Sequence, residues 1–295
     1  MPADDIGLRR GDARAVIARH GAELQSWTVG PHDLIWSGDA PYWPRRAPLL
    51  FPIVGRCNDN TLHVRGRAHA IGGHGFARDR DFSLADRGPD HATFVLRDDA
   101  GTHEQFPFAF TLTVTYRLTD LALQTTATVG NPGEVPLPYA MGFHPAFRWP
   151  FAGSTAGHEI RFDHAERPDV PVITTQGLFA PDRQTVPLTG GGTRLVLDHD
   201  LFLADALCFL DANSQGLAFD NGAGHAVRIT VQDLPHLALW TKEGAPFLCI
   251  EGWTGHGDPV GFADDIIRKP SMRLLKPGAE ASHVFRCALE QAGRR

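Results

Sequence analysis

The strongest constraint on the fold is a long succession of short strand-like runs, broken by turn residues and almost never by an amphipathic helix. Residues 15–18, 24–29, 33–36 and 94–97 are apolar or alternating and flanked by Gly, Pro or Asp. Residues 110–117 alternate more clearly, with Leu112 and Val114 on one face and Thr111, Thr113 and Thr115 on the other. After the turn-like Leu118-Thr119-Asp120, residues 121–129 continue the pattern and predict a hairpin. Further strands are expected at 159–162, 171–174, 193–197, 207–210, 216–219, 226–231, 236–240, 247–250 and 281–288. Only 261–268 reads as helix. Many short strands with turn signals between them indicate an all-β sandwich or barrel. The 31 glycines and 22 prolines are spread along the chain, as turns require, and no linker or repeat interrupts it, so residues 1–295 are expected to form a single domain.

Composition narrows the function classes. At 295 residues and 42% hydrophobic the chain can bury a substantial core. A net charge of −6, with Arg present in doublets at most, argues against nucleic-acid or anionic-membrane partners. The acidic start lacks the pattern of a signal peptide, and no apolar run approaches the length of a membrane span, so a cytoplasmic location is expected. Cys57, Cys208, Cys249 and Cys287 form no C-x-x-C and are expected to be free thiols. The fifteen histidines include no H-x-H or H-x-x-x-H, so no metal is expected.

Five segments can carry chemistry. Pro48 to Asn58 is an apolar run ending in Gly55-Arg56; an Arg fork there can hold hydroxyls or a carboxylate, or simply mark a strand end at the surface. His74, in Gly72-Gly73-His74-Gly75, has little steric cover and admits close approach, although the glycines also fit a plain turn. His144 sits between Phe143 and Pro145, which biases its backbone toward an extended form; it reads either as a positioned acid or base or as a core histidine on a backbone carbonyl. Asp205 precedes an apolar strand, where most carboxylates cap turns. Glu251 follows the apolar run 247–250 and precedes Gly252-Trp253; burial at a strand end would raise its pKa toward the range of a general base. Trp43, Trp149 and Trp253 lie near these segments and suit sugar stacking as well as ordinary packing.

In this order, Gly-Arg56, His74-Gly-Phe-Ala-Arg78, Gly-Phe-His144-Pro-Ala-Phe and Cys-Ile-Glu251-Gly-Trp253, the motifs resemble the aldose 1-epimerase (mutarotase) family, and most closely its LacX-like branch. The resemblance runs from about Gly21 to Phe285 and implies a large antiparallel β-sandwich. It implies that Arg56 and His74 bind the sugar, that His144 is the general acid and Glu251 the general base. Asp205 is the candidate for the family's substrate-binding Asp, and Trp253 is a further substrate-binding candidate. The region before Gly-Arg56 is Phe51-Pro-Ile-Val where galactose mutarotases carry an Asn, and Ala146-Phe-Arg follows His-Pro in place of Tyr-Trp-Asn. These departures touch the pocket lining and leave the sugar open.

The reaction so implied interconverts the α and β anomers of an aldohexose. Glu251 as carboxylate takes the proton of the anomeric hydroxyl while His144 as imidazolium protonates the ring oxygen; the aldehyde rotates and recloses. No cofactor is expected, and a monomer or homodimer suits the task. Alternatives are a hexose-6-phosphate epimerase, with Arg45, Arg46, Arg78 and Arg80 supplying charge; a non-catalytic sugar sensor with no need of Glu251; and a glycoside hydrolase pairing Glu251 with Asp258.

Overall fold

The computed structural model describes residues 5–291, and β-strands dominate it. The expected hairpin forms as Thr111–Leu118 against Ala122–Gly130, with Val114 opposite Ala127. In the first strand Leu112 and Val114 point inward and Thr111, Thr113 and Thr115 outward, as the alternation requires; in the second Thr126 and Thr128 lie on the more exposed face, whereas Thr125 is buried.

These two strands lie within a nine-stranded sheet whose order is Arg194–Val196, Glu159–Phe162, Gly216–Asp220, His225–Gln232, Glu280–Gln291, Ala122–Gly130, Thr111–Leu118, His91–Arg97 and Ser83–Arg87. A second sheet of six strands runs Leu207–Phe209, His236–Trp240, Phe247–Trp253, Gly142–Phe143 and Leu49–Leu50, with Ala146–Arg148 also paired to Phe247–Trp253. A four-stranded sheet of Ile6–Arg10, Ala13–Ile17, Leu24–Val29 and His32–Asp33 flanks them. Every strand pairing in these sheets is antiparallel. The main core lies between the two larger sheets: Phe143 of one packs on Phe285 of the other, ring centroids 5.7 Å apart.

Phe247–Trp253 is the central strand for function. All seven of its residues are buried because both of its faces are covered. Leu248 and Ile250 enter the main core, whereas Phe247, Cys249 and Trp253 join smaller clusters on the opposite face. Glu251 shares that opposite face by the period-two rule.

Two expectations need correction. Residues 261–268 form no α-helix; they hold only a 3-10 turn, Ile266–Arg268, capped by the Asp265 carboxylate on Ile267 N. Gly261 at φ 80°, just after Pro259, prevents a longer helix from starting earlier. The α-helix of the described chain is instead Ala100–Gln105, held by a capping box in which Asp99 accepts from Thr102 N and Thr102 Oγ1 accepts from Asp99 N. The strand expected to stop at residue 250 continues to Trp253, because Gly252 and Trp253 are paired on both sides, to Leu237 and His236 and to Phe143 and Gly142. All four cysteines are buried free thiols, as expected.

Candidate functional site

The site lies on the outer face of the six-stranded sheet. Residues 142–143 and 146–148 pair with opposite ends of Phe247–Trp253, so His144 and Pro145 bulge outward next to Ile250 and Glu251. Pro145 has no N–H, but its carbonyl accepts from Ile250 N at 3.1 Å and anchors the bulge. Gly142 is required by close packing: a Cβ there would meet Trp253 Cδ1 at 2.8 Å and Leu50 Cδ1 at 3.0 Å.

This bulge brings His144 Nε2 to 3.3 Å from Glu251 Oε1. The other carboxylate oxygen, Oε2, accepts the Trp253 indole N–H at 2.9 Å. Trp253 was expected to bind substrate; it is buried, and its N–H is directed at Glu251. Trp43 stacks on the His144 ring (centroids 5.0 Å, 28°), and Trp240 meets both His144 (5.9 Å, 84°) and Trp43 (5.6 Å, 72°) edge-on. The Trp43 loop is itself held, since the Trp36 indole donates to the Trp43 carbonyl at 2.9 Å.

His74 closes the site from the glycine-rich turn, its ring 5.8 Å from that of His144. It adopts a positive φ of 64°, rare for a side chain of this size, and Nδ1 accepts from Gly55 N at 3.2 Å. The neutral ring therefore carries its proton on Nε2. Gly55 is pressed against Gly257, where an added Cβ would lie 2.5 Å from Cα, so the turn before Arg56 rests directly on backbone beyond the Glu251 strand. The exposed Arg56 side chain passes between Gly73 and Gly177, within 3.0–3.1 Å of where their Cβ atoms would stand, and Nη1 donates to Asn60 at 3.3 Å.

Burial sets the electrostatics. It pushes the Glu251 carboxyl well above its ordinary range, opposed by the Trp253 N–H and reinforced by the charge of Asp205. Burial also lowers His144 to about 3, against a smaller upward pull from its own backbone carbonyl, with Arg78 and Arg45 lowering it further. His74 is lowered well below 6.5 by burial, then by His144, Arg78, Arg56 and Arg45. The expected imidazolium–carboxylate pair is therefore disfavoured at rest: both groups are driven toward their neutral forms, one proton between them.

Asp205 stands apart. It is exposed at a φ of 88°, and its carboxylate accepts from Ala206 N at 2.7 Å; its link to the pair is its charge, felt at Glu251. The arginines expected for a phosphate are partly engaged elsewhere. Arg45 pairs with Asp79 at 2.7 Å, Arg78 donates to the Gly73 carbonyl at 2.6 Å, Arg46 to Gln25 at 2.6 Å, and Arg80 lies 3.8 Å from Asp99. Asp258 offers no free second carboxylate: Lys269 Nζ lies 2.9 Å from Oδ1, and Oδ2 accepts Asn58 N at 2.9 Å. Trp149 stacks on His199, centroids 4.3 Å apart. Trp240, His236, His256 and Lys269 were missed at the sequence level. The first two face the site only through the pairing of 236–240 with 247–253, which no local pattern reveals.

Among the described residues, no group of three or more His, Cys, Asp or Glu is arranged to hold a metal ion, and no helix is long and apolar enough to cross a membrane.

The buried histidines make a stability prediction. A histidine whose folded pKa lies below 6.5 binds fewer protons folded than unfolded, so its contribution is complete above 6.5 and is lost as pH falls toward the folded value. His144 at about 3 and His236 at about 4 set that window, and His74 and His256 act in the same sense. Glu251, raised above 4.5, acts oppositely and costs stability as pH rises. Thermal melting should show the midpoint falling as pH is lowered from 6.5 to about 4, and falling more steeply in Glu251→Gln, where the opposing group is gone.

A sequence model of the aldose 1-epimerase family matches residues 4–288, and the chain belongs to that family. Within it, the relatives place the chain in the LacX-like branch: it is 26% identical over 255 residues to protein LacX (plasmid) of Lactococcus lactis subsp. lactis, covering 83% of this chain and 85% of LacX. Among solved structures, a galactose mutarotase-like protein from Lactobacillus casei ATCC 334 superposes with a TM-score of 0.90 at 30% identity, covering 97% of this chain and 100% of that one. A galactose mutarotase related enzyme from Lactobacillus acidophilus superposes with a TM-score of 0.88 at 26% identity, over 98% and 99% of the two chains. The sandwich expected from the strand pattern is thus the galactose mutarotase-like fold.

Proposed function

We propose that the protein is an aldose 1-epimerase, an isomerase that interconverts the α and β anomers of an aldohexose by general acid–base ring opening. The observation that carries this reading is the buried His144–Glu251 contact at 3.3 Å. The two atoms in contact are spaced to meet two neighbouring oxygens of one sugar, the anomeric hydroxyl and the ring oxygen.

At rest the pair holds one proton, favoured on Glu251 by burial. Passing that proton to His144 Nε2 leaves a carboxylate, held by the Trp253 N–H, beside an imidazolium. The net charge of the pair is unchanged by the transfer. Glu251 then removes the anomeric hydroxyl proton as His144 delivers its own to the ring oxygen, and the C1–O5 bond breaks to give the aldehyde. Rotation about C1–C2 and the reverse transfers close the other anomer. His74, with its proton on Nε2, and Arg56 donate to sugar hydroxyls. Asp205 accepts from the rim, and Trp253 positions the base.

Activity requires that the pair hold a single proton. The rate should therefore follow a bell-shaped pH profile, lost in acid when both groups are protonated and in base when neither is; its two limbs belong to the pair. A profile flat across the range would contradict the shared proton.

Polarimetry of freshly dissolved α-glucose and α-galactose tests the function. Relaxation to the equilibrium rotation should accelerate in proportion to enzyme concentration. Sugar binding without acceleration would instead identify a sensor. Faster turnover of glucose 6-phosphate than of glucose would move the assignment to the phosphorylated sugar.

A further inference from the structure

Two histidines on the site's face have no role in the chemistry above. In the strand register His236 stands opposite Trp253, and Ala238 opposite Glu251. Directly paired residues, and residues two apart, project from the same side of a sheet. His236 is therefore on Glu251's side, about 7 Å along the strands from the Glu251 row. That offset suits the far end of a pyranose whose anomeric carbon is at Glu251.

His236 is 3% exposed. Its Nδ1 accepts from Asp211 N at 3.0 Å, so the neutral ring carries its proton on Nε2. That Nε2 is buried with no hydrogen-bond partner among the described residues. An unmatched buried donor is uncommon and calls for an acceptor. His256 faces it, ring centroids 5.6 Å apart at 64°. The His256 Nδ1 lies 2.8 Å from the Gly257 carbonyl and must donate to it, which leaves Nε2 as a lone pair. Phe179 packs on the other side of His256 at 4.8 Å. The adjacent Gly257 is the residue on which Gly55, and with it the Arg56 turn, rests.

We propose that His236 and His256 form a donor–acceptor clamp for one sugar hydroxyl remote from the anomeric carbon, on C4 or C6. The hydroxyl oxygen accepts from His236 Nε2–H, and its hydrogen is donated to His256 Nε2. A hydroxyl satisfies both rings. A carboxylate or phosphate dianion has no hydrogen for His256, and a deoxy carbon leaves both rings unmatched. Burial keeps the rings neutral, lowering His236 to about 4 and His256 below its ordinary value. The clamp rests on the reading of this face as a sugar site, but not on that site being catalytic.

The test measures binding by calorimetry and mutarotation by polarimetry, for glucose and its 2-, 4- and 6-deoxy analogues. Wild type is compared with His236→Phe, His256→Phe and the conservative His236→Gln. In wild type, either the 4-deoxy or the 6-deoxy sugar should bind about 10- to 100-fold more weakly than glucose. In both Phe variants that difference should collapse to within about 3-fold, and Gln, which retains an N–H donor, should restore part of it. Equal weakening of all four sugars in folded variants overturns the clamp and leaves the epimerase reading intact. The predicted coupling without accelerated mutarotation upholds the clamp and overturns the epimerase. Binding of no sugar by wild type overturns both.

Discussion

Replacing Glu251 by Gln should lower kcat/KM for mutarotation by about 10²- to 10⁴-fold while leaving the protein as stable as wild type or more so. The loss equals about 3–5 kcal/mol of transition-state stabilisation. Gln has the shape of the protonated carboxyl and can still accept the Trp253 N–H, but it cannot take a proton from the anomeric hydroxyl. Stability should not suffer, because burial opposes the Glu251 charge. A carboxyl with a raised folded pKa withdraws stability as pH climbs above 4.5, and the amide removes that cost. Steady-state polarimetry and thermal melting together separate this outcome from simple unfolding. Full activity in a folded Glu251→Gln protein would remove Glu251 from the mechanism.

The second large effect concerns the support of the site. Lys269 and Asp258 form an ion pair whose side chains are 1% and 3% exposed. Asp258 also accepts from Asn58 N, its backbone N–H donates to the Arg56 carbonyl at 2.8 Å, and its carbonyl accepts from Phe179 N at 2.9 Å. The pair thus ties together the Arg56 loop, the segment leaving the Glu251 strand, and the Phe179 turn. Lys269→Met removes one charge and strands the other in a site closed to water. Urea unfolding should show a loss of about 3–5 kcal/mol. Adding Asp258→Asn to Lys269→Met should recover much of it, because the stranded charge, rather than the lost attraction, dominates the penalty. A loss below about 1 kcal/mol in Lys269→Met would mean that the pair is exposed enough to be solvated.

The fold was legible because alternation survives in the sequence wherever one sheet face is buried and the other is wet. The 111–118 strand is such a case, and its threonines and aliphatic residues fall on opposite faces. The strand holding Glu251 was harder to delimit. With both faces covered it has no alternation, and its extension through Gly252 and Trp253 depends on partners on either side. The motif order singled out Arg56, His74, His144 and Glu251 as candidates, and the bulge at His144-Pro145 brings the last two into contact. The resting protonation state was not legible, since it depends on how completely the pair is enclosed. Nor were Trp240 and His236, whose place on the site's face follows from their pairing with Cys249 and Trp253, 9 and 17 residues further along the chain. The helix expected at 261–268 failed on local grounds: Gly261 and the Asp265 cap favour a single turn.

The most direct test of the acid–base pair is proton NMR magnetisation exchange between the α and β anomeric protons of glucose at equilibrium. With wild-type protein, saturating one anomeric signal should diminish the other, at a rate rising linearly with protein concentration; with Glu251→Gln the transfer should return to the uncatalysed level. Transfer that stays at the uncatalysed level with wild-type protein, while calorimetry reports glucose bound, would contradict the account and leave a sugar-binding protein in its place.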